Sequence, residues 1–210
     1  MNLSETDADT AIVNRLPTEA RQAEIIAAAL RLAQERSPAL ITTADLAAAV
    51  GLSQGALFKH FNSKDAVWLA AIGWVNQHLM AQLTAASQAA TGPVNGLQQV
   101  FDAHVGFCMR YPGVPRVIFQ ELQRPSDSAI KQRVREMLQS YRHLLLNLLQ
   151  AAKVSGEVAP ELDASAAATF FVGLVQGLVM QSMLSGDVAQ MAVSSPGVFQ
   201  LFLRAIAPTP

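Results

Sequence analysis

The sequence predicts an all-α fold of about nine helices, an N-terminal three-helix unit followed by a larger helical domain. Three observations lead there. β-Branched and aromatic residues rarely alternate with polar ones, so strand signals are nearly absent. Apolar residues instead recur three and four apart in one long segment after another. Near the N-terminus, residues 42–65 read as two short helices joined by a glycine turn, with the start of a third behind them. That is a helix-turn-helix, an arrangement that places one helix in a DNA major groove.

Residues 1–14 are polar and acidic (Glu5, Asp7, Asp9) and lack the basic start and apolar run of a signal peptide. A disordered tail is expected there. Residues 15–63 form the first unit. Thr42 is the expected N-cap of one short helix, with Asp45 reaching back to it as in a capping box. Leu46, Ala47 and Val50 share one face, and the small Ala47 lets a second helix cross close by. Gly51 stops that helix in the left-handed conformation glycine adopts without steric cost. Ser53 caps the next helix, whose Leu57 and Phe61 turn back to the Leu46/Val50 face. Gln54, Gly55, Ala56, Phe58, Lys59 and His60 are left on or near the outer surface. Asn62 or Ser63 caps a further helix at Lys64, and a helix N-terminus carrying a lysine suits a phosphate.

Residues 64–207 form the larger domain. Trp68, Ile72, Val75, Leu79 and Leu83 place a fourth helix from Lys64 to the late 80s, which Gly92-Pro93 ends. Leu97, Phe101, His104, Val105 and Cys108 form a stripe on a fifth, ending near Tyr111-Pro112-Gly113. A short sixth is expected from Pro115 to Gln123. Beyond Arg124-Pro125, Ile130, Val134, Met137, Tyr141, Leu145 and Leu149 give a long seventh a strong amphipathic stripe. Leu162 or Asp163 begins an eighth that ends near Leu184. Ser195-Pro196 reads as a cap-then-proline start for the last helix.

The eighth helix admits two readings. Ala164 to Leu184 carries no charge and holds Gly173 and Gly177 four apart, as a membrane span with a small-residue packing motif would. Yet Thr169, Gln176, Gln181 and Ser182 interrupt it, Gln176 would lie mid-bilayer, and no basic cluster flanks it. The preferred reading is a helix buried against both its own subunit and a partner, not a membrane.

Composition narrows the class. A chain of 210 residues with 51% hydrophobic and 15% charged residues can supply a large core or an extensive subunit interface. Its single cysteine, Cys108, excludes an internal disulfide and suits a reducing cytoplasm. The net charge is −1, and between Arg15 and Ala70 basic and acidic residues nearly cancel. DNA affinity would then rest on a few placed contacts, helix N-termini and dimerisation, without a broad basic field.

The residue string itself is more specific. Arg21-Gln22-Ala23-Glu24-Ile25-Ile26-Ala27-Ala28-Ala29, Thr42-Thr43, Leu46-Ala47, Val50-Gly51-Leu52-Ser53, Gly55, Leu57-Phe58-Lys59-His60-Phe61 and Ser63-Lys64-Asp65 stand in register with one known pattern. They resemble the N-terminal domain of TetR-family transcriptional regulators. The resemblance implies a homodimer on a palindromic double-stranded DNA operator, released when a small effector binds the larger domain. It implies DNA contacts from Thr42, Thr43, Ser53, Gln54, Gly55, Ala56, Phe58, Lys59, His60 and Lys64. Gln54 and Lys59 would read bases, while Thr42, Thr43, His60 and Lys64 hold phosphates. Thr42 and Ser53 serve equally well as purely structural caps. Phe58 departs from the family, which usually places tyrosine there, and so lacks a phosphate donor. Ala44 stands where a polar or basic residue is often found.

The resemblance also implies a dimer interface built by the last two long helices, with Phe170, Gly173, Gln176, Gly177, Met180, Phe199 and Leu203 as candidate contacts. Candidates for an effector pocket are Trp74, Phe101, His104, Phe107, Cys108, Phe119, Met137 and Tyr141, with Met109 beside them. That lining favours a lipophilic or amphipathic molecule. The C-terminal half is loosely similar to regulators associated with efflux transporters.

Other chemistries find little support. His104 and Cys108 are spaced to share a metal, but His143 and Glu121 would have to be recruited by the fold, so no metal and no cofactor are expected. No phosphate loop, nucleophile elbow or His-Glu-x-x-His helix occurs, so no enzyme is expected. The nearest rival is an activator or ligand-independent DNA-binding regulator on the same fold. A partner-binding module with a vestigial helix-turn-helix or an all-helical enzyme ranks below it.

Overall fold

The computed structural model describes residues 18–208 and folds them into nine α-helices, with no strand among the described residues. The tail expected at residues 1–14 lies outside the described residues. The helices are α1 Thr18–Glu35, α2 Thr43–Ala48, α3 Gln54–Leu57, α4 Lys64–Gln88, α5 Pro93–Arg110, α6 Gly113–Leu122, α7 Ala129–Val154, α8 Ala164–Ser185 and α9 Gln190–Ile206. A short 3₁₀ turn, Pro38–Leu40, precedes α2.

Local chemistry sets most of the starts. Thr42 Oγ1 accepts from Asp45 N while the Asp45 carboxylate accepts from Thr42 N, a complete capping box. Ser53, Ser63 and Ser128 each cap with their hydroxyl, and Asp163 Oδ1 accepts from both Ser165 N and Ala166 N. Pro93 opens α5 from within its first turn, where a missing N–H leaves nothing unsatisfied. Gly51, at φ 66°, turns the chain between α2 and α3.

One continuous core joins the elements. The inner face of α4, including Val67, Ala71, Ile72, Val75 and Leu83, packs against α5 and α7. α1 lies across α4 and α6, so the DNA-reading unit leans on the α5–α6 corner. At the other end Phe101, Phe171, Phe199 and Phe202 form an aromatic cluster that fixes α8 and α9 to α5.

Within the larger domain two boundaries differ from the sequence reading. α6 begins at Gly113, two residues before the expected Pro115, and Gly113 is seated on α1. The last helix begins at Gln190, and Pro196 lies inside it. An interior proline frees the carbonyl four residues back. Here that carbonyl belongs to Ala192, and Ser195 Oγ donates to it at 3.4 Å. Ser195 therefore compensates the proline that follows it.

α8 is long and apolar enough to cross a bilayer. In the fold its inner face, with Ala167, Ala168, Phe171, Val175, Leu178 and Val179, is buried against the helices around it.

Candidate nucleic-acid interface and effector cavity

The turn between α2 and α3 brings the side chains of two short helices to one surface. Gln54 Nε2 donates to Thr43 Oγ1 at 2.6 Å, which holds the amide at the start of α3. Ser53, Gln54, Gly55, Phe58 and Lys59 are exposed, and Ala56 and His60 are half-buried. Behind them Leu46, Ala47 and Leu57 are buried, so the outer residues stand on a packed base. α3 is regular only as far as Leu57, and a run of turns carries the chain to Phe61. Gln22 Nε2 donates to the His60 carbonyl at 3.1 Å, tying that run to α1.

The cap residues divide into two kinds. Thr42 Oγ1 donates to Asp45 Oδ2 at 2.7 Å and accepts from Asp45 N at 3.1 Å. Its hydroxyl proton is already used. Ser53 Oγ only accepts, from Ala56 N at 3.2 Å, and keeps its proton for an outside acceptor. The Thr42 N–H and hydroxyl, with Arg36 beside them, hold the Asp45 carboxyl below its ordinary range. Lys64 has an inward task. Its Nζ donates to the carbonyls of Ala39 at 3.0 Å and Ile41 at 2.8 Å, strapping the loop before α2 to the start of α4. The open amide end of α4 remains at this surface.

A second feature lies between α5, α6, α7 and α8. An apolar cavity of about 90 Å³ is lined by His104, Phe107, Cys108, Phe119, Met137 and Tyr141, together with Val75, Ile118, Leu138, Val175 and Gln176. Its titratable groups are neutral near pH 7. His104 Nδ1 lies 3.1 Å from the Tyr141 hydroxyl. Burial pushes the His104 imidazole down to about 4 and the Cys108 thiol up to about 12. Burial, with Cys108 nearby, raises the Tyr141 phenol well above its usual value. Among the described residues no group of His, Cys, Asp and Glu is arranged to hold a metal.

Two candidates for this cavity belong elsewhere. Trp74 faces a cleft with Arg31, Arg110 and Tyr111, and its ring stacks on His78 at 4.0 Å between centroids. Phe101 is fully buried in the aromatic cluster. Sequence alone could not say which neighbour each of these side chains meets.

The outer faces of α8 and α9 carry Phe170, Gly173, Gly177 and Met180, then Val193 and Leu201, all exposed. A β-carbon on Gly173 or Gly177 would meet nothing within 4 Å. Gln176 is exposed on the same helix while lining the cavity, and Leu203 is half-buried. Phe199 is a correction. It is 2% exposed and packs on Phe101 and Phe202, so it belongs to the core and offers no surface to a partner.

Comparison with known proteins meets this geometry at both ends. Residues 25–71 match the profile of bacterial regulatory proteins of the tetR family, and residues 121–195 match the tetracyclin repressor-like C-terminal domain. The chain belongs to the TetR family. As a TetR-family chain it is a DNA-binding transcription regulator. It is similar to the nucleoid occlusion factor SlmA of Haemophilus influenzae, 27% identical over 81% of this chain and 78% of that protein. Its fold is similar to that of the fatty acid degradation regulator FadR from Bacillus halodurans, with a TM-score of 0.75 and 21% identity over 90% of this chain and 96% of that one. FadR from Bacillus subtilis in complex with stearoyl-CoA is similar too, with a TM-score of 0.76 and 19% identity over 88% and 98%.

The Lys64 strap and most of the aliphatic cavity wall lie outside what the sequence shows. The strap partners lie 23 and 25 residues before Lys64, beyond any local pattern. Val75 and Val134 had been visible as inward-facing positions, a signal that does not separate cavity wall from filled core.

Proposed function

We propose that this TetR-family chain is a homodimeric repressor of a palindromic operator, released by a lipophilic small molecule. The observation that carries this reading is the shared contact of two sites. α1 supports the recognition surface through the Gln22–His60 bond, and the same α1 bears the α5–α6 corner that walls the apolar cavity. A ligand that separates α6 from α7 or α8 displaces that corner, and α1 with it. Release follows if the ligand binds the DNA-incompetent arrangement more tightly.

The exposed apolar faces of α8 and α9 support a two-fold dimer, which presents two copies of α3 to half-sites one helical turn apart. On this reading Gln54, oriented by Thr43, and Lys59 read bases. Ser53, His60 and the N-terminus of α4 hold phosphates. The apolar lining supports a lipophilic effector, because a charged group inside it would lose its hydration without a counter-ion.

The test is gel retardation and footprinting on the DNA upstream of the gene. A symmetric footprint is expected, and lipophilic compounds that raise the unfolding temperature should also release DNA. Gln54→Ala should relax preference at one base pair in each half-site, by about 1–3 kcal/mol of discrimination. A compound that stabilises the protein and leaves DNA affinity unchanged would remove the release mechanism.

A further inference from the structure

Beside the apolar cavity lies a second one of about 170 Å³. Its walls come from three places. Gln34 comes from α1, Pro112 and Arg116 from the α5–α6 corner and α6, and Ser182 and Met191 from α8 and α9. The two cavities share Cys108, Pro115 and Val179 as common wall residues. They are therefore neighbouring compartments, one apolar and one partly polar. Arg116 is the one charged residue on the wall of the outer compartment, and no carboxylate lines it. It is half-buried, and among the described residues it takes part in none of the ion pairs.

We propose that the effector is an amphiphile with an anionic head, the head held by Arg116 in the outer compartment and the tail passing Cys108, Pro115 and Val179 into the apolar cavity. This rests on the ligand-released reading above and specifies its ligand. Each half of the molecule is placed by what its compartment lacks. The apolar cavity holds no cation, and its His104 and Tyr141 are paired with each other and uncharged near neutral pH, so an anion cannot be balanced there. The outer compartment supplies an unpaired guanidinium whose planar fork suits a carboxylate or a phosphate.

The placement also accounts for the response. Arg116 lies one turn along α6 from Gly113, which sits against the backbone of α1, and Gln34 of α1 faces the same compartment. A head group bound between Arg116 and Gln34 acts directly on the contact between the effector domain and the DNA-reading unit. The tail supplies affinity, and the head supplies the push.

Wild-type protein bound to its upstream DNA would be titrated near neutral pH with decanoate, decyl phosphate and 1-decanol. Calorimetry reads binding and fluorescence anisotropy reads DNA release. The better of the two anions should bind at least about tenfold more tightly than decanol, since a charge-assisted hydrogen bond well exceeds a neutral one. Which anion wins identifies the head as carboxylate or phosphate. Arg116→Gln should collapse the ratio of anion to decanol affinity toward unity, and Arg116→Lys should preserve most of it. Decanol binding as tightly as both anions overturns the proposal, and so does an Arg116→Gln protein that keeps the preference. Release of DNA by decanol alone removes the anionic head and leaves the ligand-released reading standing. Failure of all three to bind also overturns the proposal, and the ligand-released reading is then decided by the wider screen of lipophilic compounds.

Discussion

Gly113 lies directly against the backbone of Leu30. A β-carbon at position 113 would stand 2.1 Å from the Leu30 carbonyl oxygen and 2.9 Å from Gln34 N. Both obstacles are backbone atoms of α1, so no side-chain rotation relieves the clash. This contact is where α6, which walls the effector cavity, meets the helix that supports the recognition surface. Gly113→Ala should push α6 off α1 and destabilise the protein by about 2 kcal/mol, the usual scale of overpacking. The unfolding temperature would fall by several degrees. DNA release by effector should weaken in the same variant even at temperatures where it is fully folded. Calorimetry and anisotropy together check this, and an unchanged unfolding temperature would mean that the two helices stand apart in solution.

Lys59 and Lys64 should respond in different ways to the same substitution. Lys59 is exposed on the recognition surface, whereas the Lys64 ammonium is turned toward the carbonyls of Ala39 and Ile41. Lys59→Ala should lower DNA affinity and reduce the slope of log affinity against log salt by about one unit. Lys64→Ala should leave that slope nearly unchanged and instead destabilise the protein by about 1.5–3 kcal/mol, the range for hydrogen bonds to a charged group. A salt titration and a urea melt on each variant separate the two roles. A Lys64→Ala protein with normal stability and a reduced slope would return the ammonium to a phosphate.

These two lysines mark how far the sequence could be read. Caps and stops were legible because their causes are local. Thr42 and Asp45, Ser53 and Ser63 act within three residues of themselves. Faces were legible as well, since the burial of Leu46, Leu57, Val75 and Leu83 follows from spacing alone. Partners across the fold were not. Spacing turned Phe101 and Tyr141 inward alike, yet only Tyr141 reaches the apolar cavity. Pro196 misled because its freed carbonyl is answered by Ser195, a compensation that the dipeptide shares with an ordinary helix start.

The His104–Tyr141 pair should leave a signature in the pH dependence of stability. Burial holds the folded-state imidazole at about 4, below the value near 6.5 expected of an unfolded chain. Between those values the unfolded state binds a proton that the folded state refuses, so stability falls as pH drops from about 6.5 to about 4 and this contribution levels off below. The loss attributable to His104 is on the order of 3 kcal/mol. Urea unfolding of wild type and His104→Gln across that range checks it. The variant should show a shallower decline, and equal declines in both proteins would place the titration elsewhere.

The α8–α9 surface yields a prediction that separates interface from core. Phe170 and Leu201 are 45% and 61% exposed, whereas Phe199 on the same helix as Leu201 is 2% exposed against Phe101. If the exposed stripe is the dimer interface, Phe170→Glu or Leu201→Glu buries an unpaired carboxylate between subunits. Dissociation should follow, because an uncompensated buried charge costs several kcal/mol. Sedimentation should then report monomers that remain folded, with operator affinity reduced because one molecule no longer presents two copies of α3. Phe199→Ala should do the reverse. It opens a cavity in the subunit's own core, lowers stability by about 3–5 kcal/mol, and leaves the stripe that meets the partner intact. Charge variants that stay dimeric would move the interface off this face, and a Phe199→Ala protein that dissociates without loss of subunit stability would restore that residue to it.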